Sequence, residues 1–169
     1  TVAANGDPAS DKKLSYAQAF CIYGLSEYYK ATKDDEALRY AVSLFDLIEQ
    51  YSFDREQGGY YEAFARDWKY LKDVRLSAKD QNDAKTMNTH LHIVEAYASL
   101  YNVWKSDLLK KRIEHLLDCF SRHIIDGESN HLILFFNERW KANSYTISFG
   151  HDIESAWLLQ ECTGSIKDE

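Results

Sequence analysis

Proline is almost absent from this 169-residue chain, and its one occurrence is Pro8. Because proline breaks helices by removing a backbone donor and clashing with the preceding turn, nothing after position 8 forces a helix break. Glycine is also scarce, at 7 residues, and two of them stand together at Gly58 and Gly59. The chain is therefore free to form long helices over most of its length.

Cysteine is sparse as well, and the three thiols, Cys21, Cys119 and Cys162, form no CxxC pair. An odd and widely spaced set does not predict a disulfide framework. Cys21 and Cys119 fall within apolar helix patterns. We therefore expect them to act as small core residues in a reducing, cytoplasmic setting.

Positive charge is in deficit, with 20 basic against 27 acidic residues and a net charge of -7. This balance gives no attraction to nucleic acid or to an anionic membrane. No apolar run approaches the roughly 18 residues of a membrane span, and the polar opening TVAANGDPASDKK lacks the apolar centre of a signal peptide. We expect no nucleic-acid partner, no membrane partner and a cytoplasmic location.

Aromatic residues are the one class in excess, with 12 Tyr, 8 Phe and 4 Trp. Aromatic rings stabilise cores, and they also form the flat walls of sugar sites. A chain of 169 residues is long enough to bury a substantial core, so we treat residues 1–169 as a single domain.

Apolar periodicity predicts five principal helices, with N-caps at Asp34 or Asp35 and at Ser106. Gly58-Gly59 predicts a hairpin, and the polar segment 66–84 predicts a long loop. HLILFF (131–136) and SYTISF (144–149) resemble strands. The predicted helices lie near 14–31, 34–51, 86–104, 106–125 and 149–162.

An internal repeat relates the two halves of the chain at an offset of 72 residues, which places Lys33 in register with Lys105. Each copy reads as a helical hairpin followed by an extended segment. The first helix of each hairpin is apolar nearly all round, whereas the second has one charged face. The pattern predicts an all-α fold, part of a toroid with first helices inside and second helices outside.

Polar and aromatic side chains form narrow lines on the three predicted inner helices, because residues three and four apart share a helix face. Such lines would be satisfied by a polar cavity at the centre of a ring. The lines are Asn88, His92, Glu95 and Ser99 on the third helix; Tyr16, Phe20, Tyr23 and Glu27 at the equivalent positions of the first; and His151, Glu154, Trp157 and Leu158 on the fifth.

Taken singly, these residues have simpler interpretations. A buried histidine such as His151 is usually a hydrogen-bonded core residue, and Trp157 alone would more often be core than a stacking surface. His90 faces away from His92 and is interpreted as structural, so the HLH sequence does not predict a metal site on a helix. The remaining histidines show no constellation and are expected at the surface; they are His115, His123 and His131.

The residue types in the lines suit acid–base work on a polyhydroxylated ligand. Imidazole titrates near neutral pH, and a carboxylate one turn away can fix its tautomer or hold a hydroxyl. Asparagine can stabilise an oxygen that develops negative charge. No phosphate-binding loop or nucleophilic serine or thiol competes with this interpretation.

Four motifs together resemble the N-acylglucosamine 2-epimerase superfamily, most closely its cellobiose 2-epimerase branch. They are SYAQAFCIYGLSEYY, GGYYEAFARDW, KTMNTHLHIVEAY and SFGHDIESAWLL, and the resemblance runs from Lys12 to about Glu161. It implies an (α/α)6 barrel with short β-hairpin insertions. It also implies an isomerase that inverts C2 of a reducing-end mono- or disaccharide without a metal or redox cofactor.

The resemblance further implies roles for individual residues. His151 would be one of two acid–base histidines that move the C2 proton through an enediolate, with Glu154 and Trp157 beside it. Asn88 and His92 would hold hydroxyls or the enediolate oxygens, and Tyr16 would contribute from the first helix. We accordingly place His151, Glu154 and His92 in the catalytic group and Tyr16, Asn88 and Trp157 in the substrate-binding group.

Family members are more than twice as long and carry an arginine, a second histidine and stacking tryptophans that have no counterpart here. We therefore expect this chain alone to be incomplete for catalysis, with open barrel edges through which it could self-associate. Three other functions stay open: an aldose–ketose isomerase of the same superfamily, a glycoside hydrolase, and a non-catalytic carbohydrate-binding scaffold. Glu154 has no obvious carboxylate partner for glycoside hydrolysis.

Overall fold

The computed structural model describes residues 2–75 and 77–167. Within them lie five α-helices and four two-residue strands, and none of these helices is long and apolar enough to cross a membrane. The helices are α1 (Ser15–Thr32), α2 (Asp35–Tyr51), α3 (Met87–Val103), α4 (Asp107–Cys119), which continues as a π-helical turn (Phe120–Ile124), and α5 (Phe149–Lys167). The strands are β1 (Lys13–Leu14), β2 (Ala63–Phe64), β3 (Lys85–Thr86) and β4 (Phe135–Phe136). The five predicted helices are confirmed.

The predicted N-caps of the outer helices are confirmed at Asp34 and Ser106. The Asp34 side chain accepts a hydrogen bond from the N–H of Glu36 at 3.0 Å, and Ser106 Oγ accepts from Leu109 N–H at 3.5 Å. Each cap satisfies a backbone donor that the first helical turn leaves without a partner. The two caps are 72 residues apart, so the repeat sets where the outer helices begin.

The helices form two layers, as the difference in their apolar patterns predicts. α3 packs between α1 and α5, whereas α2 packs against α1 and α4 against α3. Nearly every residue of α3 is buried, while α2 buries only one face, which includes Ala41, Phe45 and Ile48. α1, α3 and α5 are therefore the inner helices and α2 and α4 the outer ones.

There are two small antiparallel ladders. Each pairs a strand that leads into an inner helix with a strand that follows an outer helix. β1 pairs with β2, with Lys13 opposite Phe64, and β3 pairs with β4, with Lys85 opposite Phe136. Both partners of the second pair lie 72 residues after those of the first. The repeat therefore extends from the helices to the register of the extended segments.

The predicted turn at Gly58-Gly59 is confirmed, and both glycines have positive φ, at 73° and 76°. A Cβ at Gly59 would lie 2.3 Å from the Trp140 ring, so only glycine fits there. The second copy uses Asn130, with φ of 59°, at the position equivalent to Gly58. Asparagine tolerates this left-handed conformation better than most residues.

A stacked pair of rings closes each copy of the repeat. Tyr51 lies parallel to Trp68 at a centroid distance of 4.2 Å, and His123 lies parallel to Trp140 at 4.7 Å. Both tryptophans have positive φ, at 66° and 63°. The same unusual backbone conformation and the same stacking therefore occur in both copies.

Two expectations about extended segments and cysteines need correction. SYTISF forms no strand, because no other segment pairs with the described backbone of residues 144–149; HLILFF contributes only β4 and a bridge at Leu132. Cys21 is exposed, because it lies on a face of α1 that no other described helix covers, whereas Cys119 and Cys162 are buried. The loop predicted at 66–84 is confirmed for its described residues, and Leu76 lies outside them.

Candidate active site

His92 on α3 lies between two carboxylates. Its Nδ1 is 2.8 Å from Glu95 Oε2 on the same helix, and its Nε2 is 3.9 Å from Glu154 Oε1 on α5. His92 is 8 % exposed, so this contact lies at the packed junction of α3 and α5. The distance between His92 Nε2 and Glu154 Oε1 is longer than a hydrogen bond, so both atoms are available to a ligand hydroxyl placed beside them.

Two aromatic rings of α1 cover the same imidazole. Tyr16 meets His92 edge to face at a centroid distance of 5.1 Å, and Phe20 lies 4.7 Å from it. Burial, and then the negative charges of Glu154 and Glu95, raise the pKa of the Tyr16 phenol. Tyr16 therefore remains a neutral hydroxyl donor through the physiological range.

His151 and Asn88 lie one turn nearer the helix N-termini and line a common cavity of about 70 Å³. His151 Nδ1 is 2.9 Å from the hydroxyl of Ser148, which precedes α5. This contact fixes one edge of the ring at the first turn of the helix. Met87 and Thr86 line the same cavity from the start of α3.

The predicted site residues thus lie at two successive levels of the α3–α5 junction. Asn88 and His151 form the first level; His92 and Glu154, joined by Tyr16, form the second. Four residues separate Asn88 from His92, a rise of about 6 Å along a helix. Trp157 lies further along α5, and its side chain is 61 % exposed.

The other histidines have structural contacts. His90, predicted to be structural, is fully buried: its Nε2 accepts from Tyr60 N–H at 2.9 Å, and burial lowers its pKa to about 3. The remaining three histidines, expected at the surface, are half-buried, and each also contacts a hairpin or α5. His115 Nε2 accepts from Gly59 N–H, His123 stacks on Trp140, and His131 pairs with Asp152 at 2.8 Å.

Three polar residues at the site were not among the catalytic and substrate-binding residues assigned above. Glu95 lies on the polar line of α3, and its spacing from His92 was a usable signal. Ser148 precedes α5 in a position typical of an N-cap. Glu62 comes from the first hairpin, and nothing in the local sequence indicates that it reaches the cavity with Asn88 and His151.

Within residues 2–75 and 77–167, no group of three or more His, Cys, Asp and Glu side chains is placed to hold a metal ion. The polar groups at the junction are imidazoles, carboxylates, an amide and a phenol. Groups of this kind hydrogen-bond to hydroxyls and exchange protons with them.

Sequence comparisons match this chain to known proteins. The family model of N-acylglucosamine 2-epimerase (GlcNAc 2-epimerase) matches residues 1–168. A curated relative, the cellobiose 2-epimerase of Bacteroides fragilis, is 49 % identical over 163 residues, which is 96 % of this chain and 42 % of the relative. The chain therefore spans less than half the length of this relative.

Solved structures give the same result. The cellobiose 2-epimerase from Bacillus thermoamylovorans superposes with a TM-score of 0.91 at 42 % identity, covering 96 % of this chain and 42 % of that one. The cellobiose 2-epimerase from Spirochaeta thermophila gives 0.88 at 45 % identity, covering 95 % and 40 %. The predicted fold, part of an (α/α)6 barrel with short β-hairpins, is confirmed. The chain belongs to the N-acylglucosamine 2-epimerase family.

Proposed function

We propose that this chain supplies one wall of the active site of a carbohydrate 2-epimerase, which inverts C2 of a reducing-end sugar. The observation that carries the proposal is the pairing of polar groups from α3 and α5 at two successive levels. Epimerisation at a carbon next to an aldehyde needs a base at that carbon and donors at the neighbouring oxygens. The two levels offer both.

His151 is the base in this proposal. Ring opening exposes the C1 aldehyde, which acidifies the C2 proton, and removal of that proton leaves an enediolate. The Ser148 hydroxyl 2.9 Å from Nδ1 holds the ring at the start of α5, beside Asn88. Return of a proton to the opposite face of C2 completes inversion and requires a second acid, which we assign to a part of the protein outside residues 1–169.

In this proposal the remaining polar residues of the site bind oxygen atoms of the sugar or orient the groups that do. Asn88 donates its amide N–H to an enediolate oxygen, and the neutral Tyr16 phenol donates to a hydroxyl. Glu95 accepts from His92 Nδ1–H and so fixes the tautomer of His92, which leaves Nε2 directed towards Glu154. A sugar hydroxyl placed between these two groups would donate to one of them.

The substrate we propose is a disaccharide of the cellobiose type, because the relatives described above are called cellobiose 2-epimerases. We assign residues 1–169 to one domain, a segment of a single barrel. The three cysteines are free thiols, which agrees with a reducing, cytoplasmic location.

Isotope exchange tests this function in the complete gene product. Incubation with cellobiose in D2O should place deuterium at C2 and yield the manno epimer. His151→Ala should abolish exchange while the melting temperature changes little, and His123→Ala, which alters an imidazole on the outer layer, should retain it.

Other products would reject the proposal in distinct ways. A ketose product would identify an aldose–ketose isomerase, and free glucose a glycoside hydrolase. Binding without any exchange would leave a carbohydrate-binding scaffold. Normal exchange in His151→Ala would return His151 to a structural role.

A further inference from the structure

The first turns of α3 and α5 carry the first level of the site. Asn88 is the second residue of α3, and His151 is the third residue of α5. Helix ends fray unless their terminal groups are held, because the first turn lacks part of its hydrogen-bond ladder. The positions of Asn88 and His151 therefore depend on whatever anchors these two turns.

Glu62 anchors the first turn of α3 from outside the helix. Its Oε1 accepts the N–H of Thr86 at 2.9 Å, and its Oε2 accepts the hydroxyl of Thr89 at 2.7 Å. Thr86 is the N-cap, and its own hydroxyl accepts from Thr89 N–H at 3.1 Å. Glu62 is 4 % exposed, so water does not compete for these donors.

Asp152 anchors the first turn of α5, with the acceptor on the helix and the donors outside it. Here the carboxylate belongs to the helix, and the preceding hairpin supplies the donors: Leu132 N–H lies 3.0 Å from Oδ1, and His131 Nδ1 lies 2.8 Å from Oδ2. Asp152 directly follows His151, as Thr89 directly follows Asn88. Each anchor thus holds the residue next to a proposed site residue.

We infer that Glu62 and Asp152 are positioning residues, two carboxyl clamps that hold the first turns of α3 and α5 so that Asn88 and His151 face a common cavity. The inference rests on the proposed function. It assigns a task to two carboxyl groups, one buried and one half-buried, that the acid–base chemistry itself does not use. Neither clamp needs to touch the reacting atoms.

The expected effect follows from the sensitivity of catalysis to placement. A displacement of about 1 Å at a reacting group costs up to about 100-fold in rate. Loss of either clamp would let one turn fray and would move one side of the Asn88–His151 pair. The bound sugar would keep its contacts with the second level, so turnover should fall more than affinity.

Several charged side chains lie near Glu62 and affect how the turnover of its variants depends on pH. Arg75, Asp80, Asp83 and His151 line the same cavity, and Lys72 and Glu138 line the adjoining one with Glu62. Variants of Glu62 that preserve its shape are therefore compared at several pH values.

The test uses alanine and isosteric variants of both residues in the complete gene product. Glu62→Ala and Asp152→Ala should each lower kcat for C2 exchange by about 10-fold to 100-fold, with KM within about 3-fold of its starting value. Glu62→Gln keeps an oxygen for Thr86 N–H and should restore most of kcat. Asp118→Ala, at an exposed carboxylate of α4, serves as the control and should change neither constant.

Amide hydrogen exchange provides a readout that does not depend on activity. Residues 87–92 in Glu62→Ala, and residues 149–154 in Asp152→Ala, should exchange at least about 10-fold faster while α2 and α4 stay protected. If Glu62→Ala does not fold, Thr89→Val removes a single hydrogen bond of the same clamp and carries the test.

Each outcome decides one question. Unchanged kcat and unchanged local exchange in the folded variants would overturn the clamps, and so would a Glu62→Gln variant as slow as Glu62→Ala. Absence of C2 exchange in the unaltered protein would reject the proposed function. In that case the local hydrogen exchange would still decide whether Glu62 and Asp152 hold the two turns.

Discussion

Ser99 on α3 donates a hydrogen bond to Glu27 on α1, with 3.0 Å between Ser99 Oγ and Glu27 Oε1, and 72 residues separate the two in sequence. His92 and Phe20, whose rings lie 4.7 Å apart, are separated by the same interval. Equivalent positions of the two repeats therefore face one another. The inner helices lie side by side without a shift in register, so their polar lines meet.

The Ser99–Glu27 contact should contribute measurably to stability. Ser99→Ala should lower the free energy of unfolding by about 1 kcal/mol, because the hydroxyl is buried and its acceptor is charged but partly exposed. Ser43→Ala, on the exposed face of α2, is the control. Urea unfolding of Ser99→Ala, of Glu27→Ala and of the variant that carries both changes, each compared with the unaltered protein, completes a double-mutant cycle. A coupling energy of zero would contradict the prediction.

Lys85 should be far more important than its repeat equivalent Lys13. Lys85 is fully buried and donates to Asp54 Oδ2 at 2.7 Å and to the carbonyls of Gly58 and Glu138, both at 2.8 Å. Lys85→Met would leave the Asp54 carboxylate buried without its cationic partner, so we expect a loss of about 3–5 kcal/mol.

Lys13→Met is the matched control for Lys85→Met. Lys13 lies over the Trp68 ring at 4.9 Å, as Lys85 lies over Trp140, but it is only partly buried. We expect a loss below about 1 kcal/mol, the range of a cation–π contact near the surface. Equal losses for the two variants would show that the buried ion pair is not what distinguishes the copies.

Glu95 should matter for turnover through His92. Glu95→Gln replaces an obligatory acceptor with an amide that can present either atom to His92 Nδ1, so the tautomer is no longer fixed. C2 exchange should slow by about 10-fold or more, with little change in melting temperature. Glu161→Gln, on an exposed position of α5, should have no effect. Full activity in Glu95→Gln would separate His92 from the chemistry.

The titration of Glu62 should make the free energy of unfolding fall as the pH rises, whereas a carboxyl group with a lowered pKa has the opposite effect. Burial raises the pKa of its carboxyl to about 8, against hydrogen bonds from Thr89 and Thr86 that lower it. Because the folded-state pKa lies above the unfolded one, the folded state binds this proton more tightly. The stabilisation is present in full below about pH 4 and is lost as the pH rises towards 8.

Glu62→Gln removes that titration while preserving shape. The unaltered protein should lose on the order of a few kcal/mol between pH 5 and pH 8 relative to Glu62→Gln. Urea midpoints measured across this range give the comparison. Parallel curves would show that Glu62 titrates normally in the folded protein.

The exposed apolar side chains of α1 and α5 should make residues 1–169 associate when expressed alone. Phe149, Ile153 and Trp157 on α5 are 72, 77 and 61 % exposed, and Phe20 and Tyr23 on α1 are 40 and 37 % exposed. Two copies that bury these faces against each other would remove apolar area from water. Light scattering should give a mass above the 19.6 kDa of one chain, and Ile153→Lys should reduce it. A stable monomer would contradict this prediction.

The sequence predicted the helices and their layers because local signals were strong. Asp34 and Ser106 mark helix starts, and the continuous apolar pattern of α3 corresponds to a helix packed on several sides. The exposure of Cys21 could not be predicted, because an apolar pattern does not say which neighbours are present to cover it. A strand at 144–149 would likewise need a pairing partner from elsewhere in the chain, and no described segment pairs with it.

The candidate site was predictable only where its residues share a helix. The spacing of Asn88 and His92, and of His151 and Glu154, indicated two functional faces. Glu62 reaches the cavity through the path of the first hairpin, and such long-range placement leaves no local pattern. The same applies to His131, whose partner Asp152 lies 21 residues away.

The stacked ring pairs Tyr51–Trp68 and His123–Trp140 have a consequence for how the chain folds. Each pair joins the end of an outer helix to the end of its own hairpin, so each copy completes a set of contacts between residues close in sequence. In repeat architectures, structure can begin in any unit that is stable enough and then spread to its neighbour. Either copy could thus act as the nucleus, and a substitution that weakens one would redirect the order of assembly towards the other.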